Sequence, residues 1–277
     1  MLTVALFTLR EAVRRWIVLA ALAMTLLFLI AFGFGAHYIN AEISRPLSRI
    51  PPSLRPAVLG QVLLMGLWVV NLLGSLVAIF SCAGAIANDI DSGVLQVTAT
   101  RPLARWRLVL GKWLGLTLLL ALYVALTSGA ILITSVLADG YAPPHLAAAV
   151  GLLMAQVVVL VSLTLALSTR LPAVAAGVVL VVLYSVAVAG GMLTQLGSLL
   201  RSATLTTYGV WTSVVLPSNA LWQLAAARVQ PDGFGAVGAV SPLGVITPPS
   251  LWMLAYAAVY TAACVVAAVA IFDRRDL

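Results

Sequence analysis

Residues 85–115 read AIANDIDSGVLQVTATRPLARWRLVLGKWLG. Six charged side chains fall within this stretch: Asp89, Asp91, Arg101, Arg105, Arg107 and Lys112. On either side the chain turns apolar, and neither residues 58–79 nor residues 113–137 contain a single Asp, Glu, Lys or Arg. Each of those runs exceeds the roughly 20 residues that cross a hydrocarbon core about 30 Å thick at 1.5 Å per residue. The charged stretch therefore reads as a loop joining two membrane spans, and the chain as an all-α integral membrane protein. Within the loop, Gly93 and Pro102 interrupt any continuous helix. The expected local order is a short helix, a turn and a basic re-entry into the membrane.

Working outward, four more uncharged stretches qualify as spans, at 16–36, 146–167, 172–193 and 251–272. Six spans in a single domain over 1–277 account for the composition. The chain is 63% hydrophobic and 8% charged, with a mean hydropathy of +1.13, where soluble domains carry about 25% charged residues. Arg14 and Arg15 ahead of 16–36 invite comparison with a secretory leader. The 21 uncharged residues there exceed the roughly 7–15 of a leader's apolar core, so a retained span is expected.

Cytoplasmic loops keep an excess of Lys and Arg. Alternating the spans puts Arg10, Arg14, Arg15, Arg101, Arg105, Arg107, Lys112, Arg170, Arg274 and Arg275 on one face, against Arg45, Arg49, Arg55, Arg201 and Arg228 on the other. The richer face is expected to be cytoplasmic, with both termini. Leu2, Leu6, Leu9, Val13 and Trp16 recur at helical spacing among Arg10, Glu11, Arg14 and Arg15, which predicts an amphipathic helix over 1–15 lying on the inner leaflet. Arg10, Arg14, Arg15, Lys112, Arg274 and Arg275 are expected at the membrane interface, facing anionic headgroups. The +7 charge is scattered over span ends and forms no nucleic-acid-binding stripe.

Residues 195–250 read as a long external loop. Residues 202–227 are uncharged but broken by Pro217, Ser218 and Asn219. A seventh span there would put Arg274 and Arg275 outside, so short external helices anchored by Trp211 and Trp222 are expected instead.

The ordered elements of the loop at 85–112 resemble those of type-2 ABC exporter permeases. In that family an acidic residue closes the second span, a Gly-hydrophobic pair follows, then an (R)P(L/I)(S/A)R element and a GK that opens the third span. Asp89, Gly93, Val94, Leu95, Arg101, Pro102, Leu103, Ala104, Arg105, Gly111 and Lys112 match in order. The family more often has Glu at the position of Asp89 and Thr at that of Val94. The basic start, six spans, long last external loop and basic end extend the resemblance over the chain. The wording RPLARWRLVLGKWLG is most similar to the branch associated with maturation of multicopper enzymes such as nitrous-oxide reductase.

The resemblance implies that the loop is a coupling helix seated in a cleft of a separate cytoplasmic ABC ATPase, which binds the ATP and Mg. Asn88, Asp89, Asp91, Gly93, Leu95, Arg101, Pro102 and Arg105 are then the coupling residues. Their chemistry suits the role, since the charges offer ion pairs while Ile90, Val94, Leu95 and Val97 fill a groove. Basic residues alone would be explained by the positive-inside rule; the ordered acidic pair, Gly93 and Pro102 are not. A second permease protomer, identical in a homodimer on family grounds, the phospholipid membrane and a periplasmic accessory protein complete the expected partners, and the expected location is the cell inner membrane.

Other chemistries find no constellation. The only GK, Gly111-Lys112, is followed by Trp113 and has Trp106 where a phosphate loop needs Gly, so no catalytic residue and no cofactor are assigned to this chain. His37 and His145 lack neighbouring ligands at metal spacing, Cys82 and Cys264 lack any CxxC pattern, and the six Met residues form no stripe. The proposed spans contain no ionisable residue, which sets aside the proton-relay or ion-path reading. Asn71, Ser75, Gln156, Ser162, Thr164, Thr127, Ser128 and Thr134 read as hydrogen-bond donors between helices. A self-contained carrier or channel would call for inverted repeats or broken charged helices, and a non-transporting scaffold or membrane enzyme is the remaining rival.

Overall fold

The computed structural model describes residues 16–45, 54–91, 105–139, 145–230 and 244–274, together with the isolated positions Thr8, Pro51 and Pro143. Eight helices are described, and no strand among those residues. They are α1 Trp16–Ser44, α2 Arg55–Asp91, α3 Arg105–Asp139, α4 Leu146–Ser168, α5 Ala173–Leu199, α6 Ala203–Val215, α7 Ser218–Val229 and α8 Trp252–Asp273. Six of them, α1 to α5 and α8, are long and apolar enough to cross a membrane. The amphipathic helix expected over 1–15 and most of the coupling loop lie outside the described residues.

The helices run further than the uncharged stretches. At 37 residues, α2 is about 55 Å long, nearly twice the hydrocarbon thickness. A charge halts an apolar run without halting the backbone ladder, so Asp89 and Asp91 continue α2, and Arg105, Arg107 and Lys112 open α3. Between α4 and α5 the connection is tight. Arg170 and Leu171 both donate their N–H to the Leu167 carbonyl at 3.0 and 2.9 Å, and Pro172 then starts α5, its own carbonyl accepting from Ala176 N–H at 2.9 Å. Proline suits that place because its fixed φ fits a helix entry and its missing N–H would find no partner there.

The bundle is built around α4, which packs on α2, α3, α5, α7 and α8. Its buried positions, from Ala149 through Leu153, Leu160 and Leu165 to Ser168, run round much of its circumference. A helix apolar on all sides belongs in the centre. By contrast α1 and α8 sit at the periphery, and Leu27, Phe34, Trp252, Val259 and Val266 on them are more than 60% exposed. In lipid such faces cost nothing to expose.

The segment after α5 departs from expectation in one respect. Two short helices do form, but they are not both surface elements. Leu200 and Arg201 end α5 with a left-handed residue, Arg201 at φ 52°. Ser202 N–H returns to the Gly197 carbonyl at 2.9 Å and Arg201 N–H to Ser198 at 3.4 Å, the bonding of a Schellman cap. α6 then runs antiparallel back along α5, with Gly190 against Thr212 and Gly197 against Thr206. After Leu216 and Pro217 the chain reverses again into α7, ten of whose twelve residues are buried. Trp211 on α6 is 64% exposed, whereas Trp222 on α7 is 5% exposed. Trp222 is thus a core residue and not the interfacial anchor that aromatic-belt reasoning expected.

Candidate functional site

Two polar regions stand at opposite ends of the central helices. The first lies where α2 ends and α3 begins. Lys112, about two turns into α3, is buried, and its ammonium donates to the Asp89 carboxylate and to the Ala85 carbonyl of α2. Side-chain exposure is 8% for Lys112 and 21% for Asp89. An ammonium hidden from water and headgroups needs a counter-charge and acceptors around it, and α2 supplies both within one turn. The sequence puts Lys112 at the membrane interface; the structure adds that it is buried against α2. Gly111 beside it is also buried.

The same turn of α2 is held from a second direction. Ser168, the last residue of α4, accepts through its hydroxyl from the N–H groups of Ile86 at 3.1 Å and Ala87 at 3.3 Å. A little deeper, Trp113 Nε1 donates to Ser162 Oγ at 2.8 Å and ties α3 to α4. The ends of three helices are thereby joined by side-chain bonds directly beside the segment 92–104. Ser168 was missed in the sequence, where a lone serine ahead of Thr169 and Arg170 carries no spacing signal.

Of the expected coupling residues, the structure brings Asp89 inward and leaves Asn88 exposed, its amide folded over Gly84. Asp91 closes α2 and Arg105 opens α3. Gly93, Leu95, Arg101 and Pro102 lie outside the described residues, as do Arg10, Arg14, Arg15 and Arg275 of the expected interface. Arg274 is exposed just beyond α8. Arg107 and Trp106 are also exposed on the first turn of α3, with the guanidinium carbon 5.4 Å from the ring centre, a cation–π distance.

The second region is the cleft between α5, α7 and Trp68 of α2, also lined by Asn219, Trp222 and Gln223. Gln223 Nε2 donates to the Gly191 carbonyl at 3.1 Å, and Gln195 Oε1 accepts from Ile246 N–H at 2.9 Å. Gln230 closes the far end by pairing its amide with both backbone groups of Val245, at 3.0 and 2.7 Å. A side chain at Gly190 would collide with Thr212, and one at Gly191 with Asn219. Glycines there let the returning helices approach the α5 backbone closely. Gly35 on α1, by contrast, has nothing within 4 Å of the place a Cβ would take.

Between these regions the hydroxyls mostly satisfy themselves. Thr127, Thr134 and Thr164 donate to carbonyls four residues back at 2.8, 2.8 and 2.6 Å, and Ser128 does the same to Val124. The expectation of bridges between helices fails for these four because a helical carbonyl one turn away is always within reach. It holds for Gln156, whose Nε2 donates to Ser75 Oγ at 3.3 Å, and for Tyr184, which meets Ser75 and Asn71.

What the arrangement offers chemically is mechanical linkage, with a charged inter-helix contact at one end and a re-entrant pair of helices at the other. No curated protein matches the chain significantly. The family model for the ABC-2 family transporter proteins matches residues 2–277. The chain belongs to that family and is a membrane component of an ABC transporter.

Proposed function

We propose that this chain is an ABC permease whose segment 88–105 docks on a separate cytoplasmic ATPase, and that two permease protomers assemble with two such subunits. The observation that carries the reading is the delivery of this segment by two helices, α2 and α3, that overrun the membrane and are bonded to each other at its base. A loop on so fixed a footing transmits displacement into the bundle, where a loop on frayed ends would absorb it. The overhang also carries a cluster of charge at the place where a soluble partner would meet it. ATP and Mg belong to the partner, and this chain needs no nucleotide site.

In this reading the Lys112 end of the bundle faces the cytoplasm, with both termini, in agreement with the excess of basic residues there. The α6–α7 pair then lies in the outer half of the inner membrane. Closure of the ATPase pair would rock the protomers, exporting a solute or transmitting force to a periplasmic accessory protein. The resemblance of residues 101–115 to the multicopper-enzyme maturation branch points to metalloenzyme maturation as the setting for either output.

The test is affinity purification in mild detergent from the native membrane, comparing wild type with an Asp91→Ala, Arg101→Ala, Arg105→Ala variant. The reading expects vanadate-sensitive Mg-ATP hydrolysis to travel with wild type and to be lost from the variant at equal permease yield. Hydrolysis that is absent from wild type, or equally retained by the variant, contradicts docking through this loop.

A further inference from the structure

We infer that the last turns of α2, residues 85–91, form a separately held lever, and that Lys112 and Ser168 are the positioning residues fastening it to α3 and α4. The inference rests on the docking reading above for its functional consequence, but not for its geometry. Inside a helix each N–H is normally used by the carbonyl four residues earlier. Here the N–H groups of Ile86 and Ala87 also donate to Ser168 Oγ, within a helix that continues unbroken to Asp91, while the Ala85 carbonyl of the same turn accepts from Lys112 Nζ. The contacts are shielded from solvent, with Ile86 and Ser168 at 0% exposure and Lys112 at 7%.

Each bond reaches a different helix. Lys112 leads into α3, and Ser168 leads into α4, the helix that touches five others. Asp89 lies just beyond and gives the ammonium its counter-charge. A pull on the segment following Asp91 therefore acts first on this turn, then on both neighbours together. Asp89 serves the internal fastening, and the docking reading leaves the ATPase contact to Asp91, Arg101 and Arg105.

Three variants test the inference: Ser168→Ala, Lys112→Met, and the conservative Lys112→Arg. In the isolated wild-type chain in detergent, amide exchange over 85–91 should be slow, and Ser168→Ala should speed it by about tenfold. No change there overturns the fastening whatever the partner does. In the reconstituted complex, Mg-ATP with vanadate should alter exchange across α4 in wild type. Ser168→Ala and Lys112→Met should keep the ATPase bound within about twofold while cutting that response at least about fivefold, and Lys112→Arg, which keeps donors for both the Asp89 carboxylate and the Ala85 carbonyl, should retain it. Variants that retain both the ATPase and the full response overturn the coupling role. A wild type that binds no ATPase overturns the docking reading, while the exchange measurement on the isolated chain still decides the lever. Ser168→Ala keeps the test sound if Lys112→Met alone fails to fold.

Discussion

The two ends of the bundle are secured by different chemistry. At the α2–α3 end the fastening is ionic and polar: Lys112 on Asp89 and Ala85, Ser168 on Ile86 and Ala87. At the α5–α7 end it is close packing of glycine against threonine and asparagine, with amide bonds from Gln195 and Gln223. An ion pair holds strongly but depends on one geometry, whereas a small-residue seam spreads weaker contacts along several turns. The first suits a joint that moves as a unit, the second a pair of helices that slide together.

Substitutions should separate the two. The largest loss is expected from Lys112→Ala, which leaves the Asp89 carboxylate largely buried without its ammonium. Breaking such a pair costs about 3 kcal/mol, read as a shift of the unfolding midpoint in mixed micelles. Replacing both by an apolar pair, Asp89→Leu with Lys112→Met, should recover much of that loss; equal instability of the two would show that the pair is not the source.

Next in size is Gly190→Val at the other end. Its side chain has no room beside Thr212, and overpacking costs about 2 kcal/mol. Adding Thr212→Ala to it should return about half, since the clash is with that side chain. If Gly190→Val is as stable as wild type, the α5–α6 seam is looser than described.

Gln223→Ala removes one amide bond to the Gly191 carbonyl and should cost about 1 kcal/mol. Smallest, and of opposite sign, is Arg201→Gly. Arg201 holds a left-handed conformation that glycine adopts without strain, so the substitution should stabilise by about 1 kcal/mol. Destabilisation there would mean that the Arg201 side chain contributes more than its backbone loses.

The contrast also explains what could be read from the sequence. Span number and the charged loop were visible because Asp89, Arg105 and Lys112 are charges set among apolar runs, a pattern that solvation energies write directly into composition. Helix ends were not, since α2 and α3 continue through those charges once the chain leaves hydrocarbon. The burial of Lys112 was hidden by the same rule that located the loop. Positive-inside statistics assign a lysine at a span end to the interface and say nothing of a carboxylate 23 positions earlier.

The hairpin was harder still. Gly190 and Gly191 allow close approach but do not name the partner, and residues 203–229 have the length of a span but are broken at Pro217 and lack the polarity of a loop. Trp222 shows the cost of reading tryptophan by habit. On α6 the exposed Trp211 matches a belt residue, while one helix later the same residue type is core because α7 is enclosed by α4, α5 and α2.

The central claim is that the ATPase meets the Lys112 end and not the hairpin end. A photo-crosslinking amino acid at Leu95 or at Phe234, introduced into the native complex and activated in membranes, tests it directly. The account predicts a covalent adduct with an ABC ATPase from position 95 and none from position 234. An ATPase adduct from position 234, or none from position 95 in a complex that hydrolyses ATP, would contradict it.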